Sequence, residues 1–221
     1  AGSHDSPTRN YVNKFLDNFL KELTALGKIN ILDIGCGSGY IREILAGYSF
    51  SGDYTGVDIQ KHKDFEKYNL KNFSSVFIKS RIEDFKTNKK FDLIISNFVL
   101  EHVEDDFDVI SKCDELIKRG GIQIHILPSF WSLFLYLWHG YRQYNPKRLK
   151  KLFSYRDFEV FRLGGFFSFK LHLFFITIPV LIFHNDKLRN KSFYPGLVRM
   201  SSKLDKVLTF LSTFYVVVVK N

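Results

Sequence analysis

Two cysteines, Cys36 and Cys113, are all that 221 residues offer for disulfide chemistry. That excludes a disulfide-stapled scaffold and favours a reduced, cytosolic setting. Five prolines, with no internal repeat or low-complexity tract, exclude collagen-like, proline-rich and solenoid architectures. The opening AGSHDSPTRN is polar, so no signal peptide is expected there, and Ala1 to His4 read as an expression scar outside the fold. The chain is too short for two ordinary domains but long enough for one substantial core, so residues 5–221 are read as a single domain.

Aromatic residues and positive charge are what the chain has in excess. Aromatics are 17% of the sequence, 24 of them Phe, and the net charge is +9. Residues 142–221 carry 15 Lys/Arg against 4 Asp/Glu, a net +11, whereas residues 1–141 carry 17 against 19, a net −2. A near-neutral front therefore precedes a basic, aromatic-rich back.

Apolar residues at three-to-four spacing from Tyr11 to Leu26 predict an amphipathic helix closed by Gly27. Five short apolar runs follow: INILDIG, YTGVDI, SVFIKS, FDLIIS and GIQIHIL. Helical stretches separate several of them, notably GSGYIREILAGY and a span from about Asp105 to Lys118. This alternation predicts βαβ units and a parallel sheet covered on both faces. Beyond Pro128 come a dense aromatic stretch, SFWSLFLYLWHGYRQY, a basic helix opened by Asn145 and Pro146, and a strand in DFEVFRLGG. An 18-residue run from Phe166 to Phe183 follows, whose only full charge is Lys170, and then a terminal strand in FLSTFYVVVVKN.

ILDIGCGSG carries the strongest chemical signal. A strand ending in a glycine turn that opens a helix lets backbone approach a ligand closely. Counted from Gly35 and Gly37, the dinucleotide fingerprint would put its third glycine at Tyr40, and the Gly-Lys-Ser/Thr of a phosphate loop is missing, so a pyrophosphate reader is disfavoured. Asp58 ends YTGVDI, 19 residues beyond Gly39. An acidic side chain at the tip of a second strand can accept bonds from both hydroxyls of a ribose beside such a turn.

ILDIGCGSG, YTGVDIQ and FDLIISNFVLEHVEDD, in that order and spacing, resemble the class I S-adenosylmethionine-dependent methyltransferases of small-molecule type over about residues 28–129. FYVVVVKN is similar to that family's closing antiparallel strand. The resemblance implies an α/β fold with a doubly wound, Rossmann-like sheet of seven strands, mostly parallel, and substrate-side insertions at 130–155 and 164–210. It implies S-adenosyl-L-methionine as cofactor, with Asp33, Gly35, Cys36, Gly37 and Gly39 lining the methionine end, Asp58 on the ribose, Ile59 against adenine and Asn97 beside the sulfonium. Where the family often has an acidic residue after the third strand, this chain has Arg81, which leaves Glu83 or Asp84, with the Ile82 backbone, for the adenine amino group.

His102 in LEHV follows the donor-side strand, and because histidine is the residue type suited to proton transfer near neutral pH it is the candidate catalytic base for an oxygen acceptor. Some quinone O-methyltransferases resemble this segment but carry a further Glu three residues before the Glu-His pair, and together these can hold a divalent ion. Here that place is Phe98, and no metal is expected. The acidic run Glu104, Asp105, Asp106 and Asp108 reads as solvated residues at a helix start, and His125 as a locally bonded strand residue.

Trp131, Trp138, Tyr141 and Arg142 are the substrate-side candidates. The two insertions read either as a lid packed on the domain or as an aromatic-basic surface against anionic membrane. A helix from Phe166 to Phe183 would be about 27 Å long, near the lower limit for a crossing, and Lys170, His172 and Pro179 argue against a true span.

The expected function is S-adenosylmethionine-dependent O-methylation of a small-molecule, glycan or lipid-linked acceptor, in a cytoplasmic, membrane-peripheral setting. An RNA methyltransferase using the basic back half is disfavoured, because Ser96-Asn97-Phe98-Val99 is no Asn-Pro-Pro-Tyr motif and the bases alternate with aliphatic residues. A non-catalytic cofactor-binding scaffold is the third reading, against which the glycine motif with Asp58 stands intact.

Overall fold

Buried side chains alternate between two layers along the strands of the computed structural model, which describes residues 6–23, 27–48, 51–67, 72–136, 140–185, 187–208 and 210–221. The strands are β1 (Lys28–Ile34), β2 (Ser51–Asp58), β3 (Phe73–Lys79), β4 (Phe91–Asn97), β5 (Ile117–Pro128), β6 (Asp157–Leu163) and β7 (Phe214–Lys220). They form one seven-stranded sheet in the order β3-β2-β1-β4-β5-β7-β6. β1 through β5 pair in parallel, and β7 runs antiparallel to both β5 and β6. The doubly wound, mostly parallel architecture is the one expected, with its reversal at β7.

β7 shows why its sequence is a continuous apolar run. Tyr215, Val217 and Val219 enter the core on one face, while Phe214, Val216 and Val218 enter the other. Both faces are covered, so no polar alternation survives. On one face lie α1 (Pro7–Leu23) and α2 (Ile41–Leu45), and on the other α3 (Asp106–Leu116) and α4 (Pro146–Leu152).

Several boundaries moved. α1 begins at Pro7, a residue suited to a first helical turn, with the Ser6 hydroxyl accepting from the Arg9 amide at 3.2 Å. α2 shrinks to a single turn. α3 ends at Leu116 because Ile117 already pairs across from Phe91 at a bulge in the β4–β5 ladder. Asn145 caps α4 as expected, accepting from the Arg148 amide at 2.9 Å. Both cysteines are free and buried.

The second insertion folds as an arm between β6 and β7: α5 (Phe166–His172), one wide π-type turn (Leu173–Thr177), α6 (Ile178–Phe183) and α7 (Tyr194–Leu204). Asp205 fastens it. Its carboxylate accepts from the Phe167 amide at 2.8 Å and from the Tyr11 hydroxyl of α1 at 2.9 Å.

The acidic run is split by the fold. Asp105 caps α3, accepting from the Phe107 amide at 2.8 Å, but Asp106 is not solvated. It is buried and takes the Arg148 guanidinium at 2.6 Å and the Tyr144 hydroxyl at 2.9 Å. Sequence shows the helix start but not the basic helix that packs over it. Asp106→Ala leaves Tyr144 and a half-covered Arg148 without their acceptor, and urea unfolding should show a loss of about 3 kcal/mol, against less than about 1 kcal/mol for Asp108→Ala.

Candidate active site

The carboxyl ends of β1, β2 and β4 meet at the point where the strand order reverses, the usual place for a ligand in such sheets. A cavity of about 420 Å³ opens there, lined by Gly35, Asp58, Ile59, Ile82, Glu83 and His102 among others. The volume lies within the range of small-ligand sites. The glycine turn is tied to β2 by backbone: the Gly35 and Cys36 amides both donate to the Val57 carbonyl, at 2.8 and 3.2 Å. Gly35 has φ of +62°, and a Cβ there would lie 2.4 Å from a Val99 methyl. The Gly37 amide donates to the Asp58 carboxylate at 2.9 Å and the Gln60 amide at 3.2 Å. These bonds fix the carboxylate while leaving it further acceptor capacity.

Behind the turn sits Arg42, a residue the sequence reading passed over. It is buried at 2% exposure despite lying on a short helix. Its guanidinium donates to the Phe65 carbonyl and stacks 3.9 Å from the Phe65 ring centre. Gly39 admits it: a Cβ there would meet the guanidinium at 2.4 Å. Arg42 and Glu43 are adjacent charges on this short helix, and periodicity alone does not say that the first of them is inward.

On the other side of the cavity, Phe98 turns the chain after β4 with φ of +55°, a costly conformation for an aromatic residue. Its side chain lines both the large cavity and a smaller one of about 200 Å³, whose other walls are Glu101, Pro128, Ser132, Tyr136 and Gln143. Glu101 is buried at 1% exposure, and neither carboxylate oxygen has a hydrogen-bond partner among the described residues. Burial pushes its pKa up to about 7. His102 follows on the same 3-10 turn, facing the large cavity, its Nε2 3.9 Å from the Glu101 carboxylate.

The expected site residues are therefore distributed. Gly35, Asp58, Ile59, Ile82, Glu83, His102 and Tyr141 line the large cavity. Gly37 reaches it through Asp58. Asp33 is buried beneath the turn, accepting from the Tyr54 hydroxyl, and burial pushes its pKa up to about 7. Cys36 packs against Gly56, and Asn97 keeps a buried side-chain oxygen without a hydrogen-bond partner among the described residues. Arg81 pairs with Glu83 at 3.1 Å at the rim. Trp131 packs with Phe130 and Phe134 outside both cavities, and Trp138 lies outside the described residues. Arg142 is already engaged, donating to the Val103 carbonyl at 2.9 Å and to the Glu104 carbonyl, so it braces the turn carrying Glu101 and His102. His125 bonds Ser96 and Gln123, and burial lowers its pKa to about 3. Among the described residues, no three His, Cys, Asp or Glu side chains converge as a metal-ligand set.

Residues 32–124 match a family model described as a methyltransferase domain. A ubiquinone biosynthesis O-methyltransferase from Rickettsia canadensis (strain McKiel) is 32% identical over 175 residues, covering 68% of this chain and 72% of the relative. This chain belongs to the class I S-adenosylmethionine-dependent methyltransferases. A second ubiquinone biosynthesis O-methyltransferase, from Actinobacillus pleuropneumoniae serotype 5b (strain L20), is 31% identical over 116 residues, and there the methyltransferase chain spans about half of the relative, 49%. The fold is shared with an S-adenosylmethionine-dependent methyltransferase from Archaeoglobus fulgidus, with a TM-score of 0.60 at 21% identity over 95% of this chain and 93% of that one. It is shared too with the plantazolicin methyltransferase BpumL, solved in complex with a triazolic desmethylPZN analog and SAH, with a TM-score of 0.59 at 16% identity over 95% of this chain and 85% of that one. The protein is thus an enzyme using S-adenosylmethionine, and nothing in these likenesses supports the RNA-directed or the non-catalytic cofactor-binding reading.

Two measurements follow from this geometry. Asp58→Ala removes a carboxylate poised beside the glycine turn, and calorimetry should show S-adenosylmethionine affinity reduced about 100-fold. Glu101 has a folded pKa near 7 against 4.5 for an ordinary Glu, so its ionised form burdens the fold as pH rises through that interval. Glu101→Gln should therefore match the parent at pH 5 and exceed it at pH 8, by at most about 3 kcal/mol in urea unfolding.

Proposed function

We propose that the enzyme transfers a methyl group to a hydroxyl oxygen of a small, largely apolar acceptor held in the cavity beside Phe98. Glu101 carries this reading: a buried carboxylate with no hydrogen-bond partner among the described residues, in a small pocket that meets the larger cavity at one shared side chain. A carboxylate that titrates near neutrality is matched to taking the proton of a hydroxyl acceptor. His102, more exposed and 3.9 Å away, offers that proton a way out to solvent. Phe98, Pro128 and Tyr136 keep the acceptor's surroundings apolar, while Ser132 and Gln143 supply polar contacts for orientation.

The cofactor side fits the same reading. The tight Gly35 turn in the cavity wall, packed on Val99, and the preorganised Asp58 carboxylate suit a nucleoside joined to an amino acid. Asp58 is assigned to the ribose hydroxyls, Ile59 and Ile82 to the adenine, Glu83 to its amino group, and the turn from Gly35 with Asn97 to the methionine end. S-adenosylmethionine, when bound, supplies an electrophilic methyl group, and the chain's task is to orient the acceptor oxygen and remove its proton. The names of the two ubiquinone biosynthesis O-methyltransferases support an oxygen acceptor, and the apolar lining supports one with a hydrophobic, lipid-linked substituent.

The test is methyl transfer from labelled S-adenosylmethionine to matched phenols, with and without an apolar side chain, and to amines of the same size. Label on oxygen with preference for the apolar phenols is expected, and transfer to amines alone overturns the reading. Glu101→Gln should lower turnover about 100-fold or more with cofactor affinity retained, and parent turnover should rise with pH through about 7 as Glu101 ionises. Unchanged turnover in that variant removes Glu101 from the proton path.

A further inference from the structure

The arm between β6 and β7 leaves much of its apolar surface uncovered. Leu171, Tyr194 and Val198 make a small core of their own, yet Phe174 and the whole tip of α6, Val180, Leu181, Ile182 and Phe183, are exposed. Met200 and Leu204 of α7 are exposed, as are Phe193 just before the helix and Val207 in the turn just after it, at steps of seven, four and three that keep them near one side. Tyr194, Val198, Ser201 and Ser202 occupy the buried face. Exposed Arg199, Lys203 and Lys206 each precede one member of the apolar row, so a basic row runs beside it.

Ring contacts tie the α7 segment to the first half of the arm: Phe193 lies 6.3 Å from Phe175, and Phe210 lies 5.1 Å from Phe166. Residues 164–210 contain seven Lys/Arg and only two Asp/Glu, Asp186 and Asp205. Asp205 is buried and spent on Tyr11 and the α5 amides, while Asp186 lies outside the described residues.

We propose that this face docks the enzyme on an anionic lipid bilayer, with the arm lying in the interface. A bilayer answers both halves of the surface: acyl chains take the apolar rows and anionic headgroups the basic one. A second copy would bring an equally cationic face. A polynucleotide would leave aliphatic Leu181, Ile182, Leu204 and Val207 uncovered. The stretch 166–183 is long and apolar enough to cross a membrane, with mean hydropathy 2.0, but its first half is engaged in the protein. Ser168, Leu171 and His172 are buried, and the Thr177 hydroxyl donates to the Leu135 carbonyl at 2.8 Å. Within this stretch Phe174 and the four-residue tip of α6 are left exposed to lipid, which suits a shallow interfacial anchor rather than a crossing. The arm also touches the smaller cavity: Tyr136, one of its walls, packs edge-on against His172 at 4.9 Å. Docking would therefore bring that cavity close to a bilayer-held molecule, although the docking itself does not rest on methyl transfer.

Flotation of the full chain with vesicles of phosphatidylcholine alone, or mixed with phosphatidylglycerol, tests the proposal. The protein should float with the mixed vesicles and be released by salt. Ile182→Asp with Phe183→Asp, and separately Lys203→Glu with Lys206→Glu, should each lower partitioning about ten-fold or more while S-adenosylmethionine binding in calorimetry stays unchanged. Absence of flotation with the mixed vesicles overturns the proposal, as does flotation unaffected by both variants. It is overturned as well if sedimentation shows a dimer that the Ile182/Phe183 variant dissociates while vesicle binding is retained, or if RNA competes through Lys203 and Lys206 where lipid does not bind.

Discussion

The bond from the Gly37 amide to the Asp58 carboxylate, 2.9 Å long, joins the tips of two parallel strands, and the wall of the larger cavity proposed for the cofactor is built around it. It forms only if β1 and β2 are in register, which the paired Ile34 and Val57 supply, and only if the chain can turn back sharply at Gly35. The turn costs backbone freedom, and the return is a carboxylate held in place before any ligand arrives. Arg42 supports the same corner from beneath, filling the space that Gly39 leaves. One corner thus combines a strained turn, a buried cation and a fixed anion, each depending on the others for its position.

The smaller cavity, proposed for the acceptor, uses a different device. Phe98 accepts an unfavourable backbone conformation so that β4 ends abruptly and the following turn sends Glu101 one way and His102 the other. Arg142 and the Tyr141 amide, which donates to the Glu101 carbonyl at 2.6 Å, hold that turn closed over the carboxylate. Burying a carboxylate with no hydrogen-bond partner among the described residues is expensive, and the fold tolerates it in the small cavity that adjoins the larger one. Active sites are where such uncompensated groups concentrate.

Residues tied to the sheet were legible from the sequence because their roles are local. Gly35 and Asp58 end strands whose alternation is visible, and strand ends point to one edge of the sheet. The residues that were not legible depend on partners distant in the chain. Asp106 looks like any acidic residue at a helix start, and only the packing of α4 makes it the buried acceptor of Arg148 and Tyr144. Glu101 and His102 are neighbours in sequence, and nothing in their spacing says which is sealed from water. Arg142 looked free to meet a substrate, but the fold commits it to backbone carbonyls.

By itself the sequence determined the alternation of strands and helices, the glycine turn followed by an acidic strand end, and the placement of net charge toward the back of the chain. These are properties of neighbours, set by periodicity and by what glycine alone permits. Tertiary structure decided which of two adjacent acid-base residues faces the smaller pocket, that the apolar run at 166–183 is half engaged and half free, and that the basic residues of α7 line up beside an exposed apolar row. Burial is a relation between distant segments, so it could be read only once the sheet and its arm had brought those segments together.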